Sequence, residues 1–229
     1  MEDLWLNEAI SNNAAWCDAI AASHGISAHR NESVWLSKQP MPPLYPNIVT
    51  LRSGAVIDKL IDTINPHLPS GWGIKDSYCE LELEVKGFSL AFEAQWYCRL
   101  PNQHVTEEKS PNFQVKTVRT PSELDRWAAA WGEGGAIFNP SLLVNNSIEL
   151  VYVERDGEVV SGLATNQSGD SVGITNAFGP HCDIVSCIAS LAGRYPMKGI
   201  VGYDGKSEVE ALCSIGFKSI GGLQVWLHD

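Results

Sequence analysis

Residues 148–178 read IELVYVERDGEVVSGLATNQSGDSVGITNAF, and this stretch decides the fold class. Residues 148–154 and 158–166 are rich in Val, Ile, Leu, Tyr and Thr, the composition of strands. Between them stands Arg155-Asp156-Gly157, an Asp-Gly pair able to take the left-handed conformations that a tight hairpin needs. Ser168-Gly169-Asp170 then turns the chain into a third strand over 171–178. The expectation is an antiparallel meander.

Working outward, residues 183–194 read as a helix and 199–203 as a short buried strand. Residues 207–215 read as a second helix with Ser207 and Glu210 at capping-box spacing, and Gly216 is placed to end it. Strand-like alternation closes the chain at 217–219 and 223–228. Upstream, 113–118 alternates like a strand. Thr120-Pro121-Ser122-Glu123 then supplies an N-cap, a proline at the first helical position and a capping-box glutamate, ahead of a helix through Trp127 and Trp131. Strands and helices in this order predict a mixed α/β layer architecture.

The first half repeats part of this pattern. Gly71-Trp72, Gly87-Phe88 and Gln95-Trp96 answer to Gly202-Tyr203, Gly216-Phe217 and Gln224-Val225-Trp226, with the same spacing from Phe to Gln in both copies. Leu6, Ile10, Ala14, Cys17 and Ala21 line one face of a helix that stops at His24-Gly25. A loop crowded by Pro40, Pro42, Pro43 and Pro46 precedes a strand over 47–52. A helix built on Val56, Leu60, Ile61 and Ile64 stops at Pro66, a helix is predicted over 77–86, and a strand over 88–99. The reading is two units, 1–110 and 111–229, the first truncated and lacking the meander, joined by a polar linker over 101–112.

Composition narrows the function classes. Apolar residues make up 44% of the 229 and charged residues 19%, enough for a buried core and too little charge for a disordered chain. A net charge of −11, with both halves acidic, repels nucleic-acid phosphates and anionic lipid surfaces. The opening Met-Glu-Asp-Leu-Trp-Leu-Asn-Glu lacks the layout of a signal peptide and no segment is apolar enough to span a bilayer, which predicts a cytoplasmic protein. Six cysteines without a C-x-x-C pair read as reduced, mostly buried thiols, and no histidine spacing suggests a metal. Trp127, Trp131 and Trp226 read as core. His181-Cys182-Asp183 reads as loop and cap, since adjacent residues do not converge as a triad does.

The meander, the following helix, Gly202-Tyr203 and Gly216-Phe217 together resemble the acetyl-CoA-dependent N-acetyltransferase (GNAT) superfamily. The resemblance covers 113–229 in element order and 46–99 more weakly, so the whole chain looks like two tandem GNAT-like units. It implies that an acyl-CoA binds along the main chain of Thr175, Asn176 and Ala177. It places the cofactor's pyrophosphate at Phe178, Gly179, His181, Cys182 and Asp183, where a helix N-terminus offers free N–H groups, and it implies a small-molecule acyl acceptor. Glu149 is the carboxylate it suggests as base. The family's phosphate loop keeps only Gly179 here, its general-acid tyrosine falls on Leu212 and its asparagine on Gly205. Asp183 is placed to cap the helix and compete with pyrophosphate. Two functions stay open: an acyltransferase, or a GNAT-fold protein that has lost CoA and binds a metabolite or protein.

Overall fold

The computed structural model describes residues 2–103, 105, 114–132 and 137–229. His104 and residues 106–112 of the expected linker, and Phe113 of the expected strand, lie outside these. Helix α1 (Glu2–Ser23) leads into three short strands, β1 (Ala28–Arg30), β2 (Val34–Ser37) and β3 (Ile48–Thr50). Then come α2 (Asp58–Ile64), β4 (Gly73–Asp76) and β5 (Phe88–Arg99). The second half runs β6 (Val115–Thr117), α3 (Pro121–Trp131), β7 (Ile148–Arg155), β8 (Glu158–Ser168), β9 (Ser171–Phe178), α4 (His181–Arg194), β10 (Gly199–Asp204), α5 (Lys206–Ser214) and β11 (Lys218–His228).

The strands form one mixed sheet in the order β1-β2-β3-β4-β11-β5-β10-β9-β8-β7-β6. Period-two alternation sorts its residues onto two faces. Leu150, Tyr152 and Ala164 pack with Trp16 and Ile20 of α1 and Leu124 and Trp127 of α3, while Val151, Val153 and Leu163 pack with Cys187, Ile188 and Leu191 of α4 and Leu212 of α5. The same division continues into the first half, where Trp35 and Val49 meet Ala14, Cys17 and Ala21 of α1. Val34, Leu36, Ile48 and Ile74 meet Ile61 and Ile64 of α2 on the opposite face. The result is three layers, with α1 and α3 on one side and α2, α4 and α5 on the other.

Several local expectations are met. Thr120 and Glu123 form the capping box of α3, and Asp156 and Gly157 turn the β7–β8 hairpin with positive φ. Others are corrected. The first half carries the antiparallel strands β1, β2 and β3 where the sequence predicts only one strand. The helix expected over 77–86 shrinks to a 3₁₀ turn, Glu84–Lys86. Asp76 accepts the N–H groups of Tyr78, Glu80 and Leu81 at 2.7–3.2 Å, and Cys79 takes a φ of 55°, so a side chain rather than a helix satisfies that backbone. Ser207 donates to Glu208 instead of capping α5, whose N-cap residue is Gly205 and which has no side-chain cap. The two strands expected after Gly216 are one, β11, bulged between Ser219 and Gly221. Cys17, Cys98 and Cys187 are buried, but Cys79, Cys182 and Cys213 are exposed. No helix among the described residues is long and apolar enough to cross a membrane.

Candidate active site

Strands β9 and β10 are parallel neighbours for only three residue pairs, ending at Val201↔Gly173. Beyond that point 174–178 and 202–204 run on without pairing each other, so a slit opens in the sheet. Two local features hold it open. Asn176 and Ala177 of β9 stand opposite the single residue Leu163 of β8, a β-bulge between the pairs Gly162↔Phe178 and Ala164↔Thr175. Asn176 takes a φ of 51° there, a conformation that side chains other than glycine seldom adopt. From the other side the Tyr97 hydroxyl of β5 enters the crotch, and a Cβ at Gly202 would collide with it and lie 2.9 Å from Ile174 O. Only glycine leaves room for the phenol.

On the α1 face the slit leads into a cavity of about 800 Å³. Its walls include Trp16 and Cys17 of α1, the proline-rich loop at 40–46, Lys75 of β4, Val225 of β11, and Tyr203 and Asp204 of β10, and it reaches through the slit to Tyr97 and Ile174. Tyr45 holds the proline-rich loop against β9: its hydroxyl accepts from Trp16 Nε1 at 2.9 Å and donates to Asn176 Oδ1 at 3.3 Å. Burial keeps this phenol protonated, against the smaller opposing effect of the Trp16 hydrogen bond. The Cys17 thiol is pushed up to about 11 by burial, so it is no nucleophile at neutral pH.

Asp204 and Tyr97 stand at the slit itself. Asp204 is the only carboxylate among the described lining residues. Burial raises its pKa above the usual carboxylate range; the Gly205 N–H, donating to Oδ1 at 2.9 Å, opposes the shift and the charge of Glu208 adds to it. Tyr97 is pushed up by burial, with the Asp204 charge second, so it keeps its proton throughout the neutral range.

The residues singled out from sequence divide between this site and elsewhere. Thr175, Asn176 and Ala177 line the cavity. Gly179, with a φ of 96°, packs where a Cβ would come within 2.5 Å of Val160 O. Glu149 does not line the cavity: it bonds Arg194 Nη1 at 2.6 Å, with Arg119 at 3.9 Å. Leu212 is buried in the core against α4. The capping expectation for Asp183 is corrected. Pro180 occupies the N-cap position of α4 and no side chain caps the helix. Asp183 lies in the first turn, almost wholly buried, and grips the Arg155 guanidinium through two bonds, Oδ2 to Nη1 at 2.7 Å and Oδ1 to Nη2 at 2.5 Å. The first N–H groups of α4 therefore remain for an outside acceptor, and an arginine stands beside them. Sequence reading missed Arg155 because it follows the strand as part of a turn signal, and missed Tyr97 because it belongs to the other half of the chain.

Removing Asp183 tests this pairing. Asp183→Ala should lower stability by about 1–3 kcal/mol, the usual cost of breaking a buried charged hydrogen-bond pair, and leave a net positive charge beside α4. Inorganic pyrophosphate should then bind about two- to fivefold tighter at low salt, the worth of one charge at a helix terminus. Thermal melts and calorimetric titrations check both, and unchanged pyrophosphate affinity would show that the N-terminus of α4 takes no anion.

No family model matches the sequence, and no curated protein matches it. Solved structures do. A GCN5-related N-acetyltransferase from Kribbella flavida superposes with a TM-score of 0.66 at 10% identity, covering 96% of this chain and 95% of its own. A GNAT-family protein from Novosphingobium aromaticivorans gives 0.56 at 11% identity, covering 93% and 94%. A conserved protein of unknown function from Staphylococcus epidermidis gives 0.65 at 9%, covering 89% and 94%. At such identities it is architecture that is shared, over nearly the whole chain: this protein has the GNAT fold.

Proposed function

We propose that the protein transfers an acyl group from an acyl-CoA to the amine of a small molecule. The observation that carries this reading is the slit between β9 and β10, which joins an uncapped helix N-terminus on one side of the sheet to a large cavity on the other. The residues fit such a cofactor. Unpaired main chain at Asn176 and Ala177 is available to the pantetheine amides, and the N-terminus of α4 with Arg155 suits the pyrophosphate. Asp183 is neutralised by Arg155 and does not repel phosphate. When bound, the cofactor supplies a thioester, an acyl group already activated toward amines.

The chain's own residues supply the proton transfers. Asp204 Oδ2, left free by the Gly205 bond to Oδ1, takes the proton that an ammonium must lose before its nitrogen can attack. Tyr97 Oη, protonated at neutral pH, gives a proton to the departing sulfur, the role the family resemblance would have placed at Leu212. Isothermal titration with acetyl-CoA, followed by thiol release in the presence of a panel of amines, tests the reading. Micromolar binding with amine-dependent release is expected. Absence of binding overturns it, and binding without release across the panel would favour a non-catalytic protein.

We infer also that residues 1–110 and 111–229 are two GNAT-like units sharing one sheet. Three features support this. The order of β1 to β4 on one side mirrors that of β7 to β10 on the other. Strands β3 and β4 are parallel, as are β9 and β10. Finally, the offset that carries Phe88 onto Phe217 and Gln95 onto Gln224 carries Ala94 onto Leu223, and those two residues are partners across the β5–β11 ladder.

A further inference from the structure

Lys75 lies on β4 with only 4% of its surface exposed, and no carboxylate among the described residues forms an ion pair with it. Its ammonium donates to Asn13 Oδ1 at 2.8 Å and to Tyr203 Oη at 3.1 Å, and sits 4.2 Å from the centre of the Tyr203 ring. All of these partners are neutral. They offset part of the cost of burying a charge, which a counter-ion would offset more fully. Of the ammonium's three N–H groups, two are engaged and one is left to an incoming acceptor.

The position of this charge identifies what the counter-ion would be. Lys75 is the only cation and Asp204 the only carboxylate among the described residues lining the cavity, and much of the rest of the wall is apolar, including Trp16, Met41 and Pro42. We propose that the cavity takes a small amino carboxylic acid, its carboxylate seated on Lys75 and held further by Tyr203, its apolar body against the proline-rich loop, and its amine toward Asp204. The amine end rests on the acyl-transfer reading above; the carboxylate end rests on Lys75 alone. A phosphate of the cofactor shares the anionic chemistry, and the test separates the two sources.

The experiment compares the full chain with Lys75→Met and Lys75→Gln, without cofactor, by thermal melts and calorimetry. The probes are free phenylalanine, leucine, methionine and glutamate, each beside its α-carboxamide. At least one free acid is expected to bind tenfold or more tighter than its amide, with that preference gone in both variants. Acetyl-CoA affinity should stay within twofold of the parent. Lys75→Met should also melt higher than the parent, because an unpaired buried charge has been removed; Lys75→Gln keeps a group able to hydrogen-bond Asn13 and Tyr203. Equal binding of acids and amides, or no binding by any probe, overturns the proposal. So does a Lys75→Met protein that melts below the parent while Lys75→Gln does not, which would make the lysine a structural hydrogen-bond donor. Loss of acetyl-CoA affinity in the variants would assign Lys75 to the cofactor and likewise overturns it. If acetyl-CoA binds none of the proteins, acyl transfer falls, and the difference between acids and amides still decides the role of Lys75.

Discussion

Asp204→Asn should lower kcat/KM for acyl transfer by about 10²- to 10⁴-fold, the usual contribution of a positioned general base. The substitution keeps the shape of the side chain and its acceptor for the Gly205 N–H while removing the capacity to take a proton. Its pH signature follows from burial. Asp204 works only when ionised and its pKa lies above the ordinary carboxylate range, so the parent's kcat/KM should climb with pH along a limb displaced upward from that range, and the variant should lose the limb. Stability should move the opposite way. A folded-state pKa raised above the unfolded value means that the native protein holds the proton more tightly, so its contribution is favourable at low pH and is lost as pH rises through the raised value. At neutral pH Asp204→Asn should therefore melt at or above the parent temperature. Lower activity in a protein that is no less stable is what a base predicts, and full activity in the variant would remove Asp204 from the mechanism.

Tyr97→Phe should lower kcat by about 10²- to 10³-fold with little change in the KM for acetyl-CoA, because the phenol acts as sulfur departs and not when the cofactor binds. The ring is held by an edge-to-face contact with Phe217 at 5.5 Å between centroids, which phenylalanine retains. Leaving groups sort the alternatives. An acyl donor whose thiol is more acidic needs less proton donation, so the defect should shrink with it. A defect independent of the leaving group would show that the hydroxyl only props the slit open.

The second half was legible in the sequence because its signals are local. Asp156-Gly157 between two runs of strand-forming residues needs no knowledge of the rest of the chain, nor does the Thr120–Glu123 capping box. The first half was harder to read for physical reasons. β2 is buried at all four positions, so it shows no alternation. The stretch at 77–86 has helical composition, but Asp76 claims its N–H groups first. At the site, Thr175, Asn176 and Ala177 line the cavity, but only the family resemblance pointed to them, since nothing in their own sequence signals the bulge. Tyr97, Lys75 and Asp204 were not legible at all, because β4, β5 and β10 meet around one cavity only in the folded sheet, and nothing in the sequence next to Tyr97 or Lys75 refers to the strands they face.

The placement of β11 between β4 and β5 bears on how the molecule is made. Strands β4 and β5 are complete early in synthesis, yet the partner that joins them comes last in chain order, and Trp226, which fills the core beside α2, arrives with it. Until then both strands present open hydrogen-bonding edges and the cluster of Trp72, Phe88 and Ile74 is missing one wall. Long-range closure of this kind is slow and exposes sticky edges while it waits. The sheet can therefore close around these edges only once β11 has been made.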